Sequence, residues 1–522
     1  MSALSSIDIL IICLYMIGML ALGFFIGGKQ KSAETYFLAG RKLLWPVVGL
    51  SLFASNISSS SLVGLAGSGY DVGFSVYAYE WMAAIVLFML ALFFAPYYLR
   101  SGVFTMPEFL ELRYGTMVRK YFSVLSIFMN IFIDTAATLY AGALVIQAIL
   151  PQFSLPVIIF IVAGVAGLYT ITGGFQTVVY TDAVQALLLI GGSIFILYST
   201  YTRVGGIDEV IAITGSDHFK MIKPIDDPSL PWPGLITGVF ILGFYFWVTN
   251  QFIVQRVLAA KSIRHGQWGA LFAGLLKLSA VFLFILPGAY ARVLFPEIEH
   301  SNQVYQTLLF NIVPHGFLGL IVAGLIAAMM SSVDSAINSA STLLTMDFFA
   351  SKQSDANPKK LLRIGRISSF MFLILAMLWA PQIHSFPTLW DYLQQTLAYV
   401  CPPIATLFII GIFNKNVNKN GAQFSILVGL VISILSIAFN SSDWMPHYLY
   451  VAGINFAICS ICLIVVSKVF PAKAESQITW SIEDFKAETL SLKGTPLLFN
   501  YRFQGILLLI TTLIIILYFQ FL

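Results

Sequence analysis

Apolar stretches of about twenty residues recur along the whole chain, separated by short polar loops. At 1.5 Å per helical residue, such a stretch crosses the ~30 Å hydrocarbon core of a bilayer. The pattern therefore predicts an all-α polytopic membrane protein. Fourteen transmembrane helices are expected, at roughly 8–27, 44–70, 75–97, 117–150, 155–173, 178–201, 234–256, 264–295, 314–349, 362–382, 385–414, 421–439, 445–471 and 503–522. Three connections are long: Thr202–Trp232, Arg292–His315 and Lys473–Leu498. The second is expected to add a short cap, and the third looks amphipathic around Trp480 to Leu490.

One stretch breaks the pattern. Gly49 to Tyr70 reads GLSLFASNISSSSLVGLAGSGY, with Ser51, Ser55, Asn56 and Ser58 to Ser61 inside an apolar span, then Gly64, Gly67 and Gly69. In hydrocarbon each unsatisfied polar group costs several kcal/mol, so this run needs protein partners or a ligand. An apolar span interrupted in this way is the mark of a transporter site built on a discontinuous helix.

Composition agrees with the pattern. The chain has 522 residues, 58% hydrophobic and 10% charged, against about 25% charged for soluble domains. No soluble domain of useful size remains. Twenty-three of the 28 Lys and Arg fall in odd-numbered loops or the span ends beside them, four in even-numbered loops, and Lys277 alone lies deep within a span. This asymmetry places the odd loops in the cytoplasm and both termini outside. The net charge of +4 is carried by these loops, so it is no signal for nucleic acid. The first apolar segment lacks a basic leader and reads as a first helix, not a signal peptide. The cysteines, Cys13, Cys401, Cys459 and Cys462, all lie in apolar segments. Cys459 and Cys462 form a C-x-x-C without a second ligand pair, which reads as a helix face, not zinc.

Polar groups within spans are the functional candidates. Asp134, at mid-span four, is expected to hydrogen-bond a neighbouring helix. Glu80 in YEW and Lys277 in GLLKLSAVF read either as an ion pair that fixes packing or as hydrogen-bonding groups for a hydroxylated or charged ligand; the two readings are compatible. Asp182 begins the sixth span with nothing basic adjacent in sequence, which suits a cation path or a charge at a helix N-terminus. In the ninth span, SSVDSAINSAST sets Ser331, Ser332, Ser335 and Ser339 at helical spacings, with Asp334 among them. Such a stripe serves small-residue helix packing. Opposite an unwound Ala54–Ile57 backbone it would instead supply oxygens to a sodium ion. The seventh span (GFYFWVTNQFIVQR) and the eleventh (WDYLQQTLAYVCPPI) mix aromatic rings with amides, which suits a sugar: amides bond hydroxyls and rings cover C–H faces.

The segments YFLAGRKLLWPVVGLSLFASNISS, GLAGSGYDVG, YEWMAAI, ITGGFQTVVYTDAVQ, NQFIVQRVLAAKS, SSVDSAINSASTLLTMDFF and YLQQTLAYVCPPIATLFIIGIF together resemble the sodium/solute symporter family, and within it the sodium–glucose and sodium–galactose cotransporters. The resemblance covers nearly the whole length. It implies a leucine-transporter-type fold, an inverted repeat of five plus five helices. Residues 1–43 would hold the first helix and a cytoplasmic loop, 44–201 the first repeat and 202–233 an external loop. Residues 234–414 would hold the second repeat, and 415–522 three C-terminal helices. The resemblance further implies a sodium site of Ala54, Ile57 and Ala328 carbonyls with Ser331 and Ser332 hydroxyls. By similarity to members with two sodiums, Asp182, Asp334 and Ser335 form a second site, although Asp334 stands where those members carry a hydroxyl. The matching sugar positions are Asn56, Glu80, Lys277 and Gln394, with Trp247 as a stacking ring. Departures are Ser61, where a larger polar residue is usual, Phe246 in place of an inner-gate tyrosine, and Gly243 and Ala83 in place of polar contacts.

The expected function is sodium-coupled import of a monosaccharide or related sugar by alternating access across the plasma membrane, in a bacterial inner membrane. Sodium is co-transported and no organic cofactor is implied. A non-sugar solute (a carboxylate, polyol or sugar acid) is the alternative, but a carboxylate would prefer an arginine, and none is expected deep in a span. A non-transporting sensor is a third reading. No nucleophile–base set or metal motif suggests an enzyme.

Overall fold

The computed structural model describes residues 4–26, 33–350, 358–386, 388–440, 442, 444–472, 482–492 and 494–522. Among them, ten helices are long and apolar enough to cross a membrane, and two bent pairs bring the number to twelve. Shorter apolar stretches, Ser6–Met19 and Leu155–Gly164, fall where the first and fifth spans are expected. No named strand occurs among the described residues; the isolated bridges are Leu43 to Ala260 and Lys223 to Pro231.

The second span is the first bent pair. Its near half, Trp45–Asn56, starts after the extended Leu44 with a proline in the first turn, where the missing N–H costs nothing. The far half, Ser59–Asp71, departs at 63°. The eleventh span is the second pair, Leu389–Val400 and Pro402–Phe413, bent by 51° at the two prolines. The seventh span also breaks: Trp232–Thr249 ends at Asn250, whose backbone is extended, and Gln251–Leu258 continues.

The fifth and sixth spans differ from expectation. Residues Leu155–Val204 form one continuous helix, with no loop near 174–177. A helix of that length measures about 75 Å, more than twice the hydrocarbon core, so its two apolar halves still amount to two membrane lengths. Two glycines without a proline do not stop helical bonding, which explains the missing turn.

Burial ranks the spans. The ninth, Phe317–Phe349, is the centre: 83% of its apolar window is buried, against 39%, 33% and 22% for the last three spans. It packs against the sixth span, the fourth and the near half of the second. The eighth, Ile263–Leu294, packs against the near half of the second and against the third, Phe74–Ser101. Among the described residues six π-helical turns interrupt the spans, including Met129–Thr135, Tyr245–Thr249 and Leu344–Phe349. Such turns are wider than α-helix and gather at functional sites.

The loops carry short helices. Ile207–Thr214 and Val304–Ile312 lie on the side of the even loops, the latter within the connection expected to form a cap. On the basic side, Met106–Tyr114 precedes the fourth span, and Asp347 ties it down. That carboxylate accepts from Thr105 Oγ1 (2.9 Å) and Arg119 Nη2 (2.7 Å), and Arg119 also pairs with Glu111. Of the amphipathic stretch near Trp480, helix Ile482–Ser491 is seen; residues 473–481 lie outside the described residues.

Candidate functional site

The break in the second span leaves backbone oxygens without their helical donors. Ser58 would donate to Ala54 in an unbroken helix, but its N–H turns to the Asn56 carbonyl (3.0 Å). Helical bonding resumes with Leu62 N–H to the Ser58 carbonyl (3.0 Å), one residue past Ile57. The Asn56 carbonyl is also capped by Ser61 Oγ (2.6 Å). Ser61 thus satisfies the unwound backbone while lining the cavity described below. Ser59 bonds outward, to the Thr138 carbonyl on the fourth span (2.8 Å), and Ser58 and Ser60 bond each other.

The ninth span supplies hydroxyls beside the break. Ser332 is buried, and among the described residues its Oγ has no hydrogen-bond partner. A buried hydroxyl without a partner forfeits about 1–3 kcal/mol unless a ligand completes it. Ser331 Oγ donates to Asp182 Oδ1. Ala328 and Asp334 are buried on the same helix.

Asp182 departs from the sequence expectation of a carboxylate with nothing basic beside it. Arg256, the last basic residue of NQFIVQR, is fully buried and pairs with it, Nη2 to Oδ2 2.9 Å. The same guanidinium donates to Ser335 Oγ (2.7 Å) and Ser51 Oγ (2.8 Å), and Ser51 donates to Asp182 at 2.6 Å. Counting Arg256 as a loop residue hid it, because the break at Asn250 carries the chain end of the seventh span back into the core. An arginine therefore does lie deep in the protein. Two of the three residues expected for a second sodium, Asp182 and Ser335, hold a tethered cation in this conformation.

Asn56, Ser61, Glu80, Phe246, Trp247 and Gln394 all line one cavity at the break, with about 110 Å³ open to the centres of water molecules. Lys277 closes its wall: its Nζ pairs with Glu80 and donates to Asn56 Oδ1. The Trp247 ring centroid is 5.8 Å from that ammonium, within cation–π range. The ion-pair reading of Glu80 and Lys277 holds, and Glu80 of that pair lines the cavity. Phe246 stands edge-on to Trp247 (5.2 Å) and to Phe252 (6.0 Å), making an aromatic floor. Gly243 lines the wall and leaves it without a side chain. Asp134 faces the same cavity from the π turn Met129–Thr135, where a bond to a neighbouring helix was expected.

Tyr79 and Trp390 were missed by sequence reasoning. Both line the central cavity and a second one of about 340 Å³ beyond it, so they form the partition between the two. Their rings meet edge-on at 5.4 Å, and Tyr79 Oη lies 2.8 Å from Tyr448 Oη. A Cβ on Gly64 would lie 2.8 Å from Trp390 Cε3, so the glycine makes room for the ring. The signal was present in YEW and LWDYL, next to residues singled out for polarity alone.

Two bent spans, the second broken among serines and an asparagine and the eleventh at two prolines, around a partitioned cavity, define a membrane transporter of the broken-helix kind. A profile described as the sodium:solute symporter family matches residues 36–429. The chain belongs to the sodium:solute symporter family. It is 36% identical to the sodium/myo-inositol cotransporter of Bos taurus, over 95% of this chain and 78% of that one. It is 33% identical to sodium/glucose cotransporter 1 of Ovis aries, over 93% and 82%. In structure it is similar to a Na+-coupled sialic acid symporter in a substrate-bound outward-open state, with TM-score 0.80, 23% identity and 91% and 99% of the two chains covered. Mhp1, a nucleobase-cation-symport-1 family transporter, matches with TM-score 0.59 at 15% identity, over 86% and 98%. The fold is of the leucine-transporter type, as expected.

Proposed function

We propose that the chain imports a neutral, cyclic, polyhydroxylated solute, a hexose or a cyclitol, coupled to sodium. The observation that carries this reading is the Asn56–Lys277–Glu80 chain on the wall of the central cavity, with Trp247 beside it. It offers donors and acceptors to hydroxyls, a ring to a C–H face, and no unpaired cation to attract a carboxylate. Gln394 adds an amide, and Phe246 and Gly243 leave an apolar floor. The sequence relatives at 36% and 33% identity are named for myo-inositol and glucose with sodium, which favours this class over a sugar acid, the solute named for the structural match at 23% identity.

Sodium is assigned to the Ala54, Ile57 and Ala328 carbonyls with Ser331 and Ser332. The diverted Ser58 N–H and the unpartnered Ser332 hydroxyl support the assignment. A second sodium at Asp182, Asp334 and Ser335 would have to share these oxygens with Arg256 or displace it. The basic side is assigned to the cytoplasm and both termini to the outside. Sodium binding would then bridge the second and ninth spans before the solute enters past Tyr79 and Trp390. Each sodium moving inward contributes about 2.3 kcal/mol per 100 mV of membrane potential.

The test is uptake into proteoliposomes of glucose, galactose, myo-inositol and a sugar acid, sialic acid, with and without a sodium gradient. Sodium-stimulated uptake of at least one neutral solute is expected. Uptake of a sugar acid alone would refute the neutral-solute reading.

A further inference from the structure

Asp134 adds a carboxylate to the central cavity, which it lines from the fourth span. Its side chain is partly exposed there. Among the described residues no hydrogen bond or ion pair reaches that carboxylate. The charges nearby are matched: Glu80 pairs with Lys277, and Asp182 with Arg256. A carboxylate held away from bulk water without a donor is costly, so its donors are expected to arrive through the cavity.

The turn that carries Asp134 is fixed on several sides. Met129–Thr135 is a π turn, and Thr135 Oγ1 donates across it to the Asn130 carbonyl (2.6 Å). Asn130 Nδ2 donates to Ser339 Oγ on the ninth span (3.0 Å). The Phe132 carbonyl accepts from Tyr392 Oη on the eleventh (2.6 Å). Thr138, four residues on and so on the same helix face, lines the cavity too. Its carbonyl accepts from Ser59 Oγ at the break in the second span (2.8 Å). The groups around Asp134 are thus tied to three other spans, while its own oxygens stay open. An acceptor placed in this way loses little freedom when a ligand arrives.

Resting on the neutral-solute reading of the cavity, we infer that Asp134 is a specificity-determining residue whose carboxylate accepts from one hydroxyl of the solute or from two adjacent ones. An ionised carboxylate has two acceptor oxygens and no donor, so it selects hydroxyls and repels a sugar acid. The solute need not bring a positive charge, because sodium is assigned to Ser332, which lines the same cavity. The Met129–Thr135 turn packs against the ninth and tenth spans, and the helix of Lys277 against the second and third. Different walls therefore read different hydroxyls of one ring: Asp134 only accepts, whereas Lys277 only donates.

The experiment is calorimetric binding of glucose, myo-inositol and the single-deoxy analogues of each to the purified full chain in sodium. Removing the hydroxyl that faces Asp134 should weaken wild-type binding by about tenfold or more, the worth of a hydrogen bond to an ionised group. In Asp134→Ala the parent solute should bind more weakly, and the penalty for that one hydroxyl, or for that adjacent pair, should vanish. Penalties at the hydroxyls read by Asn56, Glu80, Lys277 and Gln394 should remain. Asp134→Asn keeps the shape of the side chain and should shrink the same penalty; it decides the matter if the alanine variant does not fold. A carboxylate that only attracted sodium or held the helix would weaken every analogue alike, so an unchanged deoxy profile in the variants overturns the assignment. A wild type in which no single hydroxyl matters overturns it as well. So does a preference for glucosamine over glucose that Asp134→Ala abolishes, which would make Asp134 a site for a solute cation. If neither parent solute binds in sodium, the neutral-solute reading falls and the assignment with it; if one binds and its profile does not move, the assignment alone falls.

Discussion

Replacing Lys277 with Met tests the central site most directly. Lys277 is 1% exposed and Glu80 7%, so the pair is shielded from bulk water, and the same ammonium holds the Asn56 side chain. Methionine keeps the length of the stem and removes the charge. Breaking one side of a buried pair costs about 3–5 kcal/mol, because the other charge stays behind. Glu80 also faces the cavity and keeps some hydration there, which argues for the lower figure, about 3 kcal/mol. At 1.4 kcal/mol per tenfold, that is a factor of about a hundred. That factor applies to the folding equilibrium, so the thermal midpoint of the purified variant should fall, and equilibrium binding of the transported solute should weaken because Asn56 and Glu80 lose the group that orients them. Sodium binding should stay near wild type, since its oxygens come from the backbone break and the ninth span. The double variant Glu80→Gln/Lys277→Met should regain the thermal midpoint, since both charges go together, without regaining uptake. If Lys277→Met alone keeps both the solute affinity and the midpoint of the wild type, the pair neither organises the site nor holds the spans, and the reasoning is wrong.

Ser332→Ala should raise the sodium concentration for half-maximal uptake by about tenfold or more, from the loss of a ligand worth about 1.5–3 kcal/mol; unchanged sodium dependence removes Ser332 from the ion site. Gly64→Leu should press on Trp390 and stop the partition from closing, so that uptake is lost while sodium-induced stabilisation persists; normal uptake would show that the ring does not need that space. His218, in the loop before the seventh span, has its imidazole lowered below the ordinary 6.5 by burial, partly offset by its bond to the Gly69 carbonyl. A base with a depressed folded pKa contributes stability above pH 6.5 and loses it as the pH falls through its folded value. The thermal midpoint should therefore drop on going from pH 7 to pH 5, and His218→Gln should flatten that slope; an equal slope in the variant would refute the assignment.

The broken second span was legible because hydroxyls and an amide inside an apolar stretch have no other physical excuse. Glu80 and Lys277 were legible for the same reason, as lone charges in separate spans. That they pair with each other, and that Lys277 also holds Asn56, was not, since nothing in spacing says which spans are neighbours. Arg256 was misplaced because a basic residue at the end of an apolar run reads as a loop charge, and the sequence does not announce that the helix breaks at Asn250. The hydrogen bonds within Ser58 to Ser61 were not legible: Ser61 caps the freed Asn56 carbonyl while it lines the cavity, and Ser59 reaches a neighbouring helix. Tyr79 and Trp390 escaped because aromatic residues are common in spans, and only the second cavity shows that they separate two spaces. Leu155–Val204 shows the opposite limit, a turn expected from apolar length that the backbone does not make.

The π turns bear on how this chain tolerates change in length. Each holds one residue more than the α-helical path needs. Deleting a residue within Tyr245–Thr249 would let the helix close to α geometry with the flanking turns kept in register, and only the side chains of the turn itself would be redirected, by up to about 100° around the axis. Trp247 would leave Lys277, and Phe246 would leave the floor. The same holds for Met129–Thr135 and Asp134. Insertions and deletions of one residue, commonly the most disruptive changes in a span, are thus absorbed by the backbone at these places and felt only by the cavity. A one-residue difference at Tyr245–Thr249 or Met129–Thr135 would thus keep the helical path and change the lining of the cavity.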